Sequence, residues 1–185
     1  MDTRAAVETY NAHSEEAGWE QLCDPDLGFA RDDFQAVMTL WTKQAASRPL
    51  PARADMTARV LKPFLPNIAL KERVETGPSR YRWRIVGTRV AQVLGERTGK
   101  FTDEGAPPKA AARWNSSCDL VLASGKPLRF VGRVLVQGKD FLTSELLFMP
   151  LAGDDGSPRF VMGFGHYSAE RTWREVFRAS RAAAA

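Results

Sequence analysis

One abrupt change of period organises this chain. From Arg80 to Glu104, RYRWRIVGTRVAQVLGERTGKFTDE, the first residues alternate strictly. Tyr81, Trp83 and Ile85 fall on one face and Arg80, Arg82 and Arg84 on the other, the period of two that marks a half-buried strand. At Gly87 the period lengthens. Val90, Val93 and Leu94 take helical spacing, and Gly95 stands where a left-handed helix stop belongs. A strand that turns at once into one short helix, followed by a loop rich in Gly and charge, predicts a pocket at that junction of a small α+β domain.

The flanking sequence predicts the other elements. Residues 1–31 are polar and interrupted by Gly18, Pro25 and Gly28, so they read as an acidic, partly flexible segment with a helical turn or two around Arg4–Glu16. From Asp32 the pattern sharpens: Phe34, Val37, Met38, Trp41 and Ala45 form an apolar helical stripe that must stop before Pro49. The segment RPLPARADMTARVLKPFLPNIAL has four prolines and no Gly, which predicts a stiff connector wrapping the surface, with one helical turn near 57–62. Strands are predicted over Asn67–Val74, with Ile68, Leu70 and Val74 inward, and over Arg80–Val86, joined by a turn at Thr76–Ser79.

A longer helix starts at Pro107 and Pro108, lines one face with Ala111, Trp114, Cys118, Val121 and Leu122, and ends at Gly125. Three strands follow, Pro127–Gln137, Phe141–Met149 (closed by Pro150) and Arg159–Tyr167, then a helix over Glu170–Ser180. The sum is an α+β fold: a five-stranded antiparallel sheet with helices on one face, plus N-terminal and C-terminal flanking helices. It divides into a segment at 1–31, a domain at 32–168 and a tail at 169–185.

Composition narrows the function classes. No apolar run approaches the ~18 residues a membrane span needs, and the N-terminus lacks the order of a secretory leader. A cytoplasmic protein without a membrane partner is expected. Two cysteines, Cys23 and Cys118, and two histidines, His13 and His166, are too few for a disulfide framework or an all-protein zinc site. The net charge of +4 divides into −7 over residues 1–36 and +11 over the rest. That asymmetry suggests either a tail and body that attract, a body that meets anions, or only a solvated surface with a disordered acidic leader.

The order of elements, the Gly-ended helix after the second strand and the loop that follows it resemble a PAS domain. LWTKQAASRPLPARADM, LKPFLPNIAL and YRWRIVGTRVAQVLGERTGKFTDE are similar to the alphaproteobacterial single-domain PAS-like family, over about Phe34 to Ser168. The resemblance implies a PAS fold and a signalling or regulatory role. It brings no catalytic motif and no agreed ligand. Flavin-binding PAS domains resemble one another in an Asn-Cys-Arg-Phe-Leu segment, whereas Cys118 sits in NSSCDLVL. Haem-binding ones usually offer a histidine on the long helix, and Lys109–Ser124 has none. Both comparisons argue against flavin and haem and leave the cofactor unknown.

Three groups of residues are candidates. Tyr81, Trp83, Trp114, Cys118, Phe130, Phe148, Phe164 and His166, with Phe160 and Met162, are expected between sheet and long helix, as an aromatic ligand pocket or simply as core. His166 is in phase with Phe160, Met162 and Phe164 and reads as a ligand or as a structural histidine at a strand end. Arg80, Arg82, Arg84, Arg129 and Arg133 are expected as a basic row on the opposite face, for the acidic N-terminal segment, an acidic partner, a nucleotide or nucleic acid. Nothing aromatic on that face would stack bases, which argues against nucleic acid. Arg80 and Arg84 match an Arg-x-x-x-Arg pattern used by some cyclic-dinucleotide binders, but its companion motif is absent. Phe34, Val37, Met38 and Trp41 are expected at a homodimer contact.

Enzyme signals are missing: there is no G-x-S-x-G, H-E-x-x-H or P-loop, and Gly163-Phe164-Gly165 opens no helix. The expectation is a non-enzymatic sensor or adaptor that binds a small ligand or a protein partner and relays to a separate signalling protein. The rival expectation is a constitutive dimerisation or interaction domain without a ligand.

Overall fold

An antiparallel sheet with helices packed on both of its faces forms the frame of the protein. The computed structural model describes residues 2–29, 31–74 and 80–183, without the side chains of 180–183. The helices are α1 (Thr3–Glu16), α2 (Asp32–Ala45), α3 (Ala58–Leu61), α4 (Thr88–Leu94), α5 (Pro108–Ser124) and α6 (Trp173–Ala183). The strands are β1 (Gln21–Asp24), β2 (Ile68–Val74), β3 (Arg80–Val86), β4 (Leu128–Arg133), β5 (Thr143–Ala152) and β6 (Pro158–Ser168). Their spatial order is β1-β4-β5-β6-β2-β3, every neighbour antiparallel. The turn expected at Thr76–Ser79 lies outside the described residues.

The count of five strands is corrected to six. The additional strand, β1, comes from the segment expected to be a partly flexible leader, and it pairs along β4 from Gln21↔Gly132 to Asp24↔Arg129. Four residues are too few for alternation to show in sequence. Burial holds this segment in place: Tyr10 of α1, Trp19 and Cys23 pack against Phe130 and Val121. The Tyr10 and Ser117 hydroxyls, 2.8 Å apart, both accept from the Gln21 side-chain amide.

Helices on one face is likewise corrected. α1 and α5 cover one face. On the other, Phe34, Val37, Trp41 and Ala45 of α2 pack with Leu147, Met149 and Leu151 of β5 and with Met162 and Phe164 of β6. The proline-rich connector joins that second core, burying Leu50, Met56 and Leu61 instead of only wrapping the outside. A sign of this was present in LLFMPL (146–151), an unbroken apolar run of the kind strands show when both faces are buried. The α2 stripe expected at a homodimer contact is therefore spent on the protein's own sheet, with Met38 half-buried against the same cluster.

The phase of β6 is reversed from expectation. Phe160, Met162, Phe164 and His166 share the α2 face, while Val161, Gly163, Gly165 and Tyr167 face α5. A one-residue slip exchanges every side chain between faces, and with both faces apolar, size alone does not mark the inner one. Across from Gly163 lies Phe148 of β5, and a Cβ at Gly163 would come within 3.0 Å of that ring.

β5 also continues through Pro150 to Ala152. β4 pairs only as far as Leu128↔Phe148, so Pro150, which has no N–H to donate, sits beyond the last β4 partner. Beyond it the Ala152 N–H donates to Pro51 O at 2.9 Å, and the Trp41 indole donates to Pro150 O at 3.0 Å. α6 packs Trp173 and Phe177 on Val131.

Candidate functional site

Beneath α5, at the strand-to-helix junction of β3 and α4, the sheet is hollow. Trp83, Trp114 and Phe148 form ring walls, Val90 and Leu94 of α4 close one side, and Lys71 of β2 supplies the charge. The free volume is about 30 Å³, room for one or two water molecules. A larger ligand enters only if a wall moves.

The local sequence explains how each wall is held. Pro108 opens α5 and Gly125, at φ 62°, caps it in the left-handed region. This aims Trp114 at the sheet, where its ring meets Trp83 edge-on, centroids 5.6 Å apart. α4 starts at Gly87, whose N–H donates to Ile68 O at 2.7 Å. A Cβ there would run into the carbonyl oxygens of Leu65 and Pro66, so only glycine lets α4 begin this close to the turn that leads into β2. At the far end Gly95 has φ 79° and ψ 167°, a combination essentially closed to other residues.

Lys71 is the residue that the sequence reading missed. It is 3% exposed. Its Nζ lies 4.4 Å from the Trp83 ring centroid, 5.1 Å from that of Phe148 and 5.7 Å from that of Trp114. Its one hydrogen-bond acceptor among the described residues is Cys118 Sγ, at 3.7 Å. Desolvation holds its pKa below the ordinary lysine range, and burial raises that of the Cys118 thiol. A second donor is idle nearby: the buried Trp83 Nε1 has no hydrogen-bond partner among the described residues.

Two more cations stand behind the cavity. The Arg97 guanidinium sits 5.2 Å from the Trp114 ring centroid and donates to the carbonyls of Leu94, Glu104 and Gly105, which folds the loop after α4. Buried Arg113 donates to Trp19 O and Arg133 O. Among the described residues no carboxylate pairs with Lys71, Arg97 or Arg113.

Of the residues expected in the pocket, Trp83, Trp114 and Phe148 line it, and Cys118 touches its lysine. Tyr81 and Phe130 belong to the adjoining core, with the Tyr81 hydroxyl donating to Asp119 Oδ1 at 2.7 Å. Phe164 borders the cavity from β6, but its ring packs edge-on against Phe34 of α2 at 5.0 Å. His166 is corrected to the α2 face. It is half-buried there, and burial, then Arg31, lower its pKa.

Lys71 was hidden by phase. Taking Ile68 and Leu70 as inward leaves Lys71 outside, whereas both parities of β2 are covered and its pairing with β3 shifts between Leu70 and Lys71.

The basic row is corrected as well. Strand order separates Arg80, Arg82 and Arg84 on β3 from Arg129 and Arg133 on β4 by β5, β6 and β2. Arg80 pairs with Asp103, Arg84 with Glu72, and Arg82 stacks on Phe101 at 4.5 Å. Arg129 is fully buried and bridges Asp24 at 3.1 Å and Glu145 at 2.7 Å. Arg133 meets Glu20 and Asp140. Part of the acidic N-terminal segment thus docks on β4, through Asp24 and Glu20.

Among the described residues no helix is long and apolar enough to cross a membrane. The chain is similar to a solved structure described as an RNA-binding light-oxygen-voltage receptor, at 15% identity and a TM-score of 0.43. The similarity covers 72% of this chain and 40% of that one, so this chain spans two fifths of the receptor's length. No curated protein matches. The family model of the PAS domain matches residues 31–165, from the start of α2 through most of β6. With the match covering most of its length and the antiparallel sheet flanked by helices as its fold, the chain belongs to the PAS domain family.

Proposed function

We propose that this PAS domain is a cytoplasmic sensor or adaptor that works by binding and not by chemistry, taking a small molecule into the cavity beneath α5. One observation carries the reading: a ring-lined hollow buries an ammonium that no carboxylate matches. Burying a lone charge costs several kcal/mol after relaxation, and perturbed buried ionisable groups concentrate at functional sites.

The mechanism is a population shift. A ligand larger than the present free volume pushes α4 and the loop at 95–105 outward. The neighbouring strand supplies a route across the sheet. Gly163 and Gly165 border the cavity, and Phe164 between them packs on Phe34 of α2. A displaced β6 therefore changes the seat of α2, and a protein partner reads that change. Self-association through the α2 stripe is no part of this reading, because the sheet already covers it.

The small free volume favours a second reading, a constitutive interaction domain whose core is simply full. Native mass spectrometry of freshly purified protein separates the two. A bound extra mass, absent from Trp83→Ala, supports the sensor. A clean mass, unchanged by a small-molecule panel that also leaves the melting temperature fixed, leaves the constitutive domain standing.

A further inference from the structure

We infer that the cavity's ligand is a small ring-bearing monocarboxylate, its carboxylate held by the Lys71 ammonium and its ring between Trp83, Trp114 and Phe148. This rests on the reading of the cavity as a ligand site and names the class of that ligand.

Charge decides first. Lys71 is 3% exposed and meets only Cys118 Sγ and the faces of aromatic rings. Arg97 and Arg113, also without carboxylate partners among the described residues, add positive potential from behind. In a desolvated site a cationic ligand meets like charge, and a neutral one leaves the ammonium uncompensated. An anion of one charge makes the filled cavity neutral, which is the condition under which a buried pair is tolerated.

Donor count decides next. The cavity lining brings the Lys71 ammonium, the idle Trp83 Nε1–H and the Tyr167 hydroxyl, while the Asn67 amide already donates to Gly165 O. The ammonium and the indole N–H can each take one oxygen of a carboxylate, the ammonium through a charge-assisted bond. A phosphate brings more negative charge than the one ammonium of the lining matches. Shape decides the remainder: apart from Asn67 and the Tyr167 hydroxyl the other lining is apolar, and the rings of Trp83, Trp114 and Phe148 within it suit a flat ring.

The test uses the full chain, with benzoate and indole-3-acetate as acids and benzamide and indole-3-acetamide as neutral controls. Calorimetry and thermal shift are run on wild type and on Lys71→Met. The acids are expected to bind wild type at least tenfold more tightly than Lys71→Met, and the amides to show no such difference. A readout that needs no variant is the Lys71 side-chain ¹⁵N resonance of the wild type, expected to move with the acids and not with the amides. If acids and amides bind alike, or acid binding survives Lys71→Met unchanged, the assignment of an acid is overturned. If amides bind and acids do not, the cavity reading stands and the acid falls. If none of the four binds or moves the resonance, the acid falls, and the cavity reading falls with it only if native mass spectrometry also shows a clean mass.

Discussion

The Nζ of Lys71 lies 4.4 Å from the centroid of the Trp83 ring, inside the domain, in a position that most folds would give to a methylene. An ammonium over an indole gains about 2 kcal/mol when both are desolvated. That offsets only part of the cost of removing the charge from water. The remainder makes Lys71 a liability to the empty protein, and several measurements follow from it.

Replacing Lys71 by Met keeps the volume and removes the charge. The empty protein is expected to gain about 1–4 kcal/mol, read as a higher urea midpoint at neutral pH. A loss of stability would mean that Lys71 is compensated in a way this geometry does not show.

The same residue sets a pH dependence. Its folded pKa is lowered by desolvation, so between that value and the unfolded value of about 10.4 the unfolded chain binds more protons than the folded one. Stability from this group therefore rises with pH across that window and is flat below the folded pKa, where both states carry the proton and the burial penalty is complete. In the difference between wild type and Lys71→Met, where groups other than the contacting Cys118 thiol cancel, the advantage of the variant should shrink as pH climbs towards 10. A constant difference would refute the lowered pKa.

Trp114 closes the cavity from above and is 5% exposed, its ring edge-on to Trp83. Trp114→Ala should cost about 3–5 kcal/mol, measured by chemical denaturation, and should open space for neutral aromatic probes. A cost near zero would place the ring in solvent.

Gly87→Ala tests the seat of α4. The added methyl meets the Leu65 and Pro66 carbonyls, which are backbone and cannot swing aside. Overpacking of this kind costs typically about 1–3 kcal/mol. Hydrogen exchange should show faster opening confined to α4 and the loop after it. Unchanged exchange there would mean that the backbone absorbs the methyl.

Arg129 anchors β1 by bridging Asp24 and Glu145 while fully buried. Arg129→Met leaves two buried carboxylates without that cation and should cost about 3–5 kcal/mol. Adding Asp24→Asn and Glu145→Gln should recover part of that loss. If the single variant is as stable as wild type, the N-terminal strand does not depend on this bridge.

Local pattern reached far into this protein. The alternation from Arg80 to Trp83 (the bulge against β2 turns Ile85 to the α2 side), the change of period at Gly87, the Pro-opened and Gly-capped α5, and the stripe from Phe34 to Ala45 are all legible because each depends on neighbours a few residues away. So is the ring content of the cavity, since Trp83 and Trp114 lie on strongly periodic elements. What escaped depends on what covers a strand from outside. With α2 and the connector on one face and α5 on the other, both parities of β2 and β6 are buried. Periodicity then cannot say that Lys71 points inward or that Phe164 and His166 point away. The fate of Arg129, one more arginine in an alternating run, was set by Asp24 more than a hundred residues earlier. Only the tertiary structure decides such pairings, because a charge has meaning for stability through its solvent and its partner, and neither is local in sequence.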